Sequence, residues 1–139
     1  MDSKKVLIIE DNLDIQEVFR YAFEDAGYEV KTSDNGLLGI TEIVDYRPTV
    51  VVLDIMMPEM SGYDFLSALK NNTSIKVPVV VVSNLAQDQD KKRSLEAGAD
   101  LFLVKSDFDG PELVARIEEF LYQRAHPTST IEIEAGSTI

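Results

Sequence analysis

Val6-Leu7-Ile8-Ile9-Glu10-Asp11-Asn12 opens the chain with four branched apolar residues that end abruptly in two carboxylates. A short continuous apolar run closed by charge is the pattern of a strand buried on both faces. The pattern recurs at Thr49-Val50-Val51-Val52-Leu53, ended by Asp54, and at Val77-Pro78-Val79-Val80-Val81-Val82, ended by Ser83. A shorter run, Leu101-Phe102-Leu103-Val104, ends at Lys105, and Tyr28-Glu29-Val30-Lys31-Thr32 alternates as a half-exposed strand would. Between these five strands the period is helical. Ile15, Val18, Phe19, Ala22, Phe23 and Ala26 fall on one helix face, with Gly27 as its stop. Residues 37–46, 63–70 and 87–97 predict three more helices, the last stopped by Gly98. A fifth has Pro111 in its first turn and is expected to bury Leu113, Val114, Ile117, Phe120 and Leu121. Five strand-helix units with buried strands imply a doubly wound α/β domain: a five-stranded parallel sheet with helices on both faces.

The rest of the composition narrows the function. The chain has 139 residues, 45% of them apolar, which suits one domain with a real core. Its net charge of -12 argues against binding to a nucleic-acid backbone or an anionic membrane. There is no cysteine, which removes disulfides, thiolate metal sites and cysteine nucleophiles. No stretch approaches the roughly 18 apolar residues of a membrane span. A cytoplasmic location is expected. The strand-helix units end near residue 125. Residues 126–139 predict a flexible tail, in which Ile131-Glu132-Ile133-Glu134 alternates.

In an open parallel sheet, ligands bind beyond the carboxyl ends of the strands. Glu10 and Asp11 follow the first strand, Asp54 the third, Ser83 the fourth and Lys105 the fifth. Each has a purely structural role open to it. Asp11 or Asn12 could cap the first helix, Asp54 could close a turn before Pro58, Ser83 could cap the fourth helix, and Lys105 could be a solvated loop residue. Their joint placement at one edge argues for chemistry. Three carboxylates brought together repel or take up protons unless a cation joins them. Oxygen ligands and the absence of nearby histidine or thiol point to Mg²⁺. With such an ion, an aspartate can act as nucleophile toward a phosphoryl group whose oxygens a lysine and a hydroxyl hold. The lone His126 lies in the tail and is not expected to be a ligand.

Taken in order, residues 6–12, 51–58, Met60-Ser61-Gly62, Val81-Val82-Ser83, Ala97-Gly98-Ala99-Asp100 and Phe102-Leu103-Val104-Lys105 resemble the receiver domain of bacterial two-component response regulators, in its single-domain form. The resemblance spans residues 4 to 124. It implies a receiver domain over residues 1–125 with the flavodoxin-like strand order 2-1-3-4-5. It also implies that Asp54 is the phosphoacceptor, that Glu10 and Asp11 form the acidic pair, and that Asp11, Asp54 and the carbonyl of Met56 bind Mg²⁺, with Glu10 acting through water. Lys105 would pair with the phosphoryl oxygens. Ser83 would move to the phosphate, and Phe102, in the place of the switch aromatic, would swing inward behind it.

The implied partners are a sensor histidine kinase or a histidine phosphotransfer protein, docked on the first helix near Ile15 and Phe19. An output target or a homodimer would use helix 4, strand 5 and helix 5, or the phosphoryl group would be passed on. The basic run Lys91-Lys92-Arg93 lies on helix 4 and reads either as a solvated face or as part of that surface.

The chain departs from the family at four places. Glu10 stands for the commoner aspartate, Asn84 for a small residue, and Phe102 lacks a hydroxyl. Ser106 follows Lys105 where the family usually has a proline in a cis bond. A non-proline cis bond costs about 2.5–4 kcal/mol, which favours trans and leaves the aim of Lys105 open. Met56 and Leu85, bulky and apolar beside the path of an attacking water, predict slow self-dephosphorylation. Rival functions are a receiver-like interaction module that takes no phosphoryl group and an aspartate-nucleophile phosphatase. The phosphatase generally wants an acid two residues after its nucleophile, where this chain has Met56. A flavin site is disfavoured by the acidic loop after the first strand.

Overall fold

The computed structural model of the protein describes residues 4–56, 60–72, 75–85 and 87–127. Met57 and Pro58 of the third-strand motif and the tail from residue 128 onward lie outside them. Among the described residues five strands and five α-helices alternate. They are β1 (Lys5–Ile9), α1 (Leu13–Asp25), β2 (Glu29–Ser33), α2 (Gly39–Tyr46), β3 (Val50–Leu53), α3 (Gly62–Lys70), β4 (Val79–Ser83), α4 (Asp88–Ala97), β5 (Leu101–Val104) and α5 (Gly110–Ala125). All pairings are parallel and the order is β2-β1-β3-β4-β5, as expected.

The alternation of side chains across the sheet divides the core in two. Val6, Ile8, Val50, Val52, Val80, Val82 and Leu103 pack with Phe19 and Phe23 of α1 and with Leu113, Val114 and Ile117 of α5. On the other face Leu7, Ile9, Val51, Leu53, Val79, Val81 and Phe102 pack with Ile43 of α2 and with Phe65, Leu66 and Leu69 of α3. Each such side chain contributes about 1.5–3 kcal/mol when fully buried, so the two layers dominate the stability of the domain.

Several expected boundaries shift, each for a local reason. Val77 and Pro78 precede β4, because proline has no N–H for the ladder; its carbonyl accepts from the Val51 N–H at 2.9 Å instead. Leu37 and Leu38 are exposed and precede α2, since the Asn35 side chain accepts from the Leu37 N–H at 2.9 Å and holds that segment in a turn. The buried stripe of α1 is Gln16, Phe19 and Phe23, whereas Val18 is 54% exposed. Phe120 and Leu121 of α5 are only partly buried. Gly27 and Gly98 end α1 and α4 with positive φ, as the sequence predicts.

Register fixes the site. Ile9 pairs with Leu53, Leu53 with Val81, and Ser83 with Val104. The residue after each strand end therefore emerges at the same edge. The β3 end is further held by Gly62 at the start of α3, where a Cβ would sit 2.6 Å from the Ile55 Cα and 3.0 Å from the Asp54 carbonyl oxygen. Only glycine allows this approach.

Candidate functional site

Asn12 takes the helix cap: its side-chain oxygen accepts from the N–H groups of Asp14 and Ile15 at 3.0 and 3.1 Å. The capping role open to Asp11 is thereby filled, and Asp11 stands exposed beside the strand ends. Glu10 is 2% exposed and Asp54 8% exposed, both at the ends of central strands. Carboxylate oxygens of Glu10, Asp11 and Asp54 lie within 4.8 Å of one another. Lys105 completes the group, its Nζ 2.8 Å from Glu10 Oε1 and 3.8 Å from Asp54 Oδ2. The Lys105–Ser106 bond is trans and opens a short 3₁₀ turn, Lys105–Asp107. The ammonium reaches the carboxylates from that backbone without a cis bond.

Three carboxylates against one ammonium leave an excess of negative charge in a mostly buried place. Burial pushes the Glu10 carboxyl up to about 7, against the lowering effect of its hydrogen bond from Lys105, and the nearby Asp54 charge raises it further. Burial likewise raises Asp54, opposed by the charge of Lys105 and by the Met56 N–H, which donates to Asp54 Oδ1 at 3.3 Å. A divalent cation would relieve both. The donor set fits a hard ion, since all its ligand atoms are oxygens and exposed Asp11 leaves a side open to water.

The other expected residues have partners of their own. Ser83 is fully buried, and its Oγ accepts from the Leu85 N–H at 3.1 Å, so its hydroxyl serves its own loop and not the carboxylates. The fourth helix is capped by Gln87 instead, whose N–H donates to Asp90 at 3.3 Å. Phe102 is buried in the core layer that holds Val81, Leu53 and Phe65. The Met56 side chain is 63% exposed, and Leu85 packs partly against the core. His126 stacks on Tyr122 with ring centroids 4.1 Å apart. Of the basic run, Lys92 pairs with Glu96 at 3.9 Å and Arg93 lies 3.8 Å over the Tyr63 ring, which ties α4 to α3.

Of the buried polar side chains that the sequence reading passed over, Gln16 reaches the strand ends at the site. Gln16 Nε2 donates to the Glu10 carbonyl at 2.6 Å, to Asp34 Oδ1 at 3.0 Å and to the Ser33 carbonyl at 3.4 Å. Its signal is faint: a polar residue in helical phase with Phe19 and Phe23.

An open groove of about 320 Å³ adjoins the site, lined by Asp14, Ile15, Val18 and Phe19 of α1 and by Lys105, Phe108, Asp109 and Gly110.

A doubly wound domain with a carboxylate cluster and a lysine at the carboxyl edge of its sheet is the arrangement that the sequence led us to expect of a receiver domain. Residues 6–118 match the family described as response regulator receiver domain, and the chain belongs to that family. The chain is 32% identical over 140 residues to the phosphate regulon transcriptional regulatory protein PhoB of Pseudomonas aeruginosa, covering 100% of this chain and 61% of that protein. It is 36% identical over 133 residues to the transcriptional regulatory protein PrrA of Mycobacterium leprae, covering 95% and 56%. The chain thus spans about three-fifths or less of the length of these relatives. Among solved structures it resembles the chemotaxis protein CheY4 of Vibrio cholerae at 27% identity and TM-score 0.78, covering 85% of this chain and 98% of that one. A Francisella response regulator receiver domain is 30% identical at TM-score 0.78, covering 88% and 99%. Among the described residues no helix is long and apolar enough to cross a membrane.

Proposed function

We propose that this chain accepts a phosphoryl group on Asp54 from a sensor histidine kinase or a histidine phosphotransfer protein, in a Mg²⁺-dependent reaction that it catalyses itself. The observation that carries the reading is the grouping of Glu10, Asp11 and Asp54 oxygens within 4.8 Å beside the Lys105 ammonium. Glu10, Asp11 and Asp54 would hold the ion, together with the Met56 carbonyl. When bound, Mg²⁺ offsets the carboxylate charge and draws negative charge from the phosphoryl oxygens.

An Asp54 oxygen attacks the phosphorus of a phosphohistidine, and the P–N bond breaks. Its electron pair stays on the ring nitrogen. The ring, protonated at its other nitrogen, leaves as neutral imidazole, and an acyl phosphate remains on Asp54. Lys105 moves from Glu10 to the new phosphoryl oxygens, and the Ser83 hydroxyl exchanges the Leu85 amide for the phosphate. Phe102, packed behind β4, holds the core in the form that this exchange favours. The face of α4, β5 and α5 is then biased toward a protein target or a second copy, or the phosphoryl group passes on to another histidine. With Met56 and Leu85 offering no side-chain polar group to orient a water, the acyl phosphate is long-lived.

Intact mass after treatment with acetyl phosphate and MgCl₂ tests the reading. One phosphoryl adduct is expected on wild type and none on Asp54→Asn. No adduct on wild type, or an equal adduct on the variant, overturns it in favour of a receiver-like module that only binds.

A further inference from the structure

Gln16 sits on the apolar stripe of α1, 5% exposed, between the first turn and Phe19. A buried amide on such a face is costly unless its donors are used, and here they are spent on the two strand ends that frame the acidic pair. The Glu10 N–H donates to the Ser33 carbonyl at 3.0 Å, and the Glu10 carbonyl accepts from Gln16 at 2.6 Å. Both polar groups of the Glu10 backbone are therefore held. The Glu10 carbonyl also shares one rigid peptide plane with the N and Cα of Asp11. Fixing that oxygen fixes the direction in which Asp11 leaves the turn. Among the described residues the Asp11 carboxylate makes no hydrogen bond or ion pair, so no protein group anchors it and the backbone at Asp11 sets where its side chain starts. Asp34 Oδ1, 3.0 Å from the same Nε2, orients the amide in turn.

We propose that Gln16 is a positioning residue for the cation site: through the Glu10 carbonyl it sets the aim of the Glu10 and Asp11 carboxylates. The inference rests on the Mg²⁺ reading above. Partners that orient ligands from behind typically contribute 10–100-fold to metal affinity. Gln16→Met keeps the bulk of the side chain and removes its donors.

Calorimetric titration of the metal-free protein with MgCl₂ is expected to give a Kd about tenfold or more weaker for Gln16→Met than for wild type. Melting in EDTA separates a purely structural role, which would lower the Tm and leave the Kd unchanged; that result overturns the proposal. A second pair does not touch the core. Asp34→Asn and Asp34→Ala remove the same charge, and only the first keeps an acceptor for the amide. Asp34→Ala is expected to bind Mg²⁺ several-fold more weakly than Asp34→Asn, and equal Kd values overturn the proposal even where Gln16→Met does not fold. A wild type that takes up no Mg²⁺ overturns the cation reading and this inference with it. A wild type that binds, beside a Gln16→Met that binds equally, overturns this inference alone.

Discussion

Lys105 divides itself unequally between two carboxylates, 2.8 Å from Glu10 and 3.8 Å from Asp54. The extra methylene of Glu10, compared with the aspartate common in the family, lengthens the arm that makes the shorter contact. In the metal-free protein the ammonium is thus held mainly by Glu10, with Asp54 the more distant partner. Glu10 carries the thermodynamic trace of this arrangement. Burial lifts its carboxyl from the ordinary 4.5 to about 7, despite the hydrogen bond from Lys105. A folded-state value above the unfolded one means that the folded protein binds the proton more tightly. The stability from Glu10 is then full below about 4.5 and is lost as the pH rises through about 7. Asp54 is raised in the same direction. In EDTA, the Tm of wild type relative to Glu10→Gln should therefore fall between pH 4.5 and 7. Saturating Mg²⁺ should flatten the fall, because the cation binds the ionised form. A Tm difference independent of pH across this window would show that the buried carboxyl is not strained by its charge.

At the scale of elements, the site depends on how closely α3 approaches the end of β3. Gly62 permits contact with Ile55 and the Asp54 carbonyl that no Cβ could share. Gly62→Ala should lower stability by about 1–3 kcal/mol, the usual effect of overpacking, and should slow phosphorylation of Asp54 because the strand end must move. Urea unfolding and the rate of adduct formation check the two parts, and a variant as stable as wild type would mean that the helix start yields freely. The elements themselves were largely legible. A strand buried on both faces needs an unbroken apolar run, and β1, β3, β4 and β5 each show one with a polar residue at its end. The places that misled were those where a hydrogen bond, not hydrophobicity, decided the outcome. Asn35 holds back the start of α2, Pro78 delays β4, and Gln16, not Val18, joins Phe19 and Phe23 on the buried stripe of α1. The carbonyls that make Gln16 useful belong to the backbone of Glu10 and Ser33, and no letter of the sequence announces them. Glu10, Asp11, Asp54 and Lys105 were legible for the opposite reason: charge at the end of a buried strand has few places to go.

For the whole molecule, the exposure of Val18 has a second side. A chain of net charge -12 does not attract a phosphorylated protein by its overall field, so a donor must be held by local contacts. The groove beside Lys105 offers them: Ile15, Val18, Phe19 and Phe108 give an apolar floor and wall, flanked by Asp14 and Asp109. Val18 is its most exposed apolar residue, although its position on α1 would suit a core residue. A donor helix that brings a phosphohistidine to Asp54 would cover it. Burying the exposed half of Val18 contributes about 1 kcal/mol, which corresponds to roughly fivefold in affinity. Val18→Ser should therefore slow transfer from a phosphorylated histidine phosphotransfer protein by about that factor, relative to its effect on the rate with acetyl phosphate. The ratio of the two rates is the decisive quantity. It cancels any general disturbance of the carboxylate site, and a ratio unchanged from wild type would place the donor on another face of the domain.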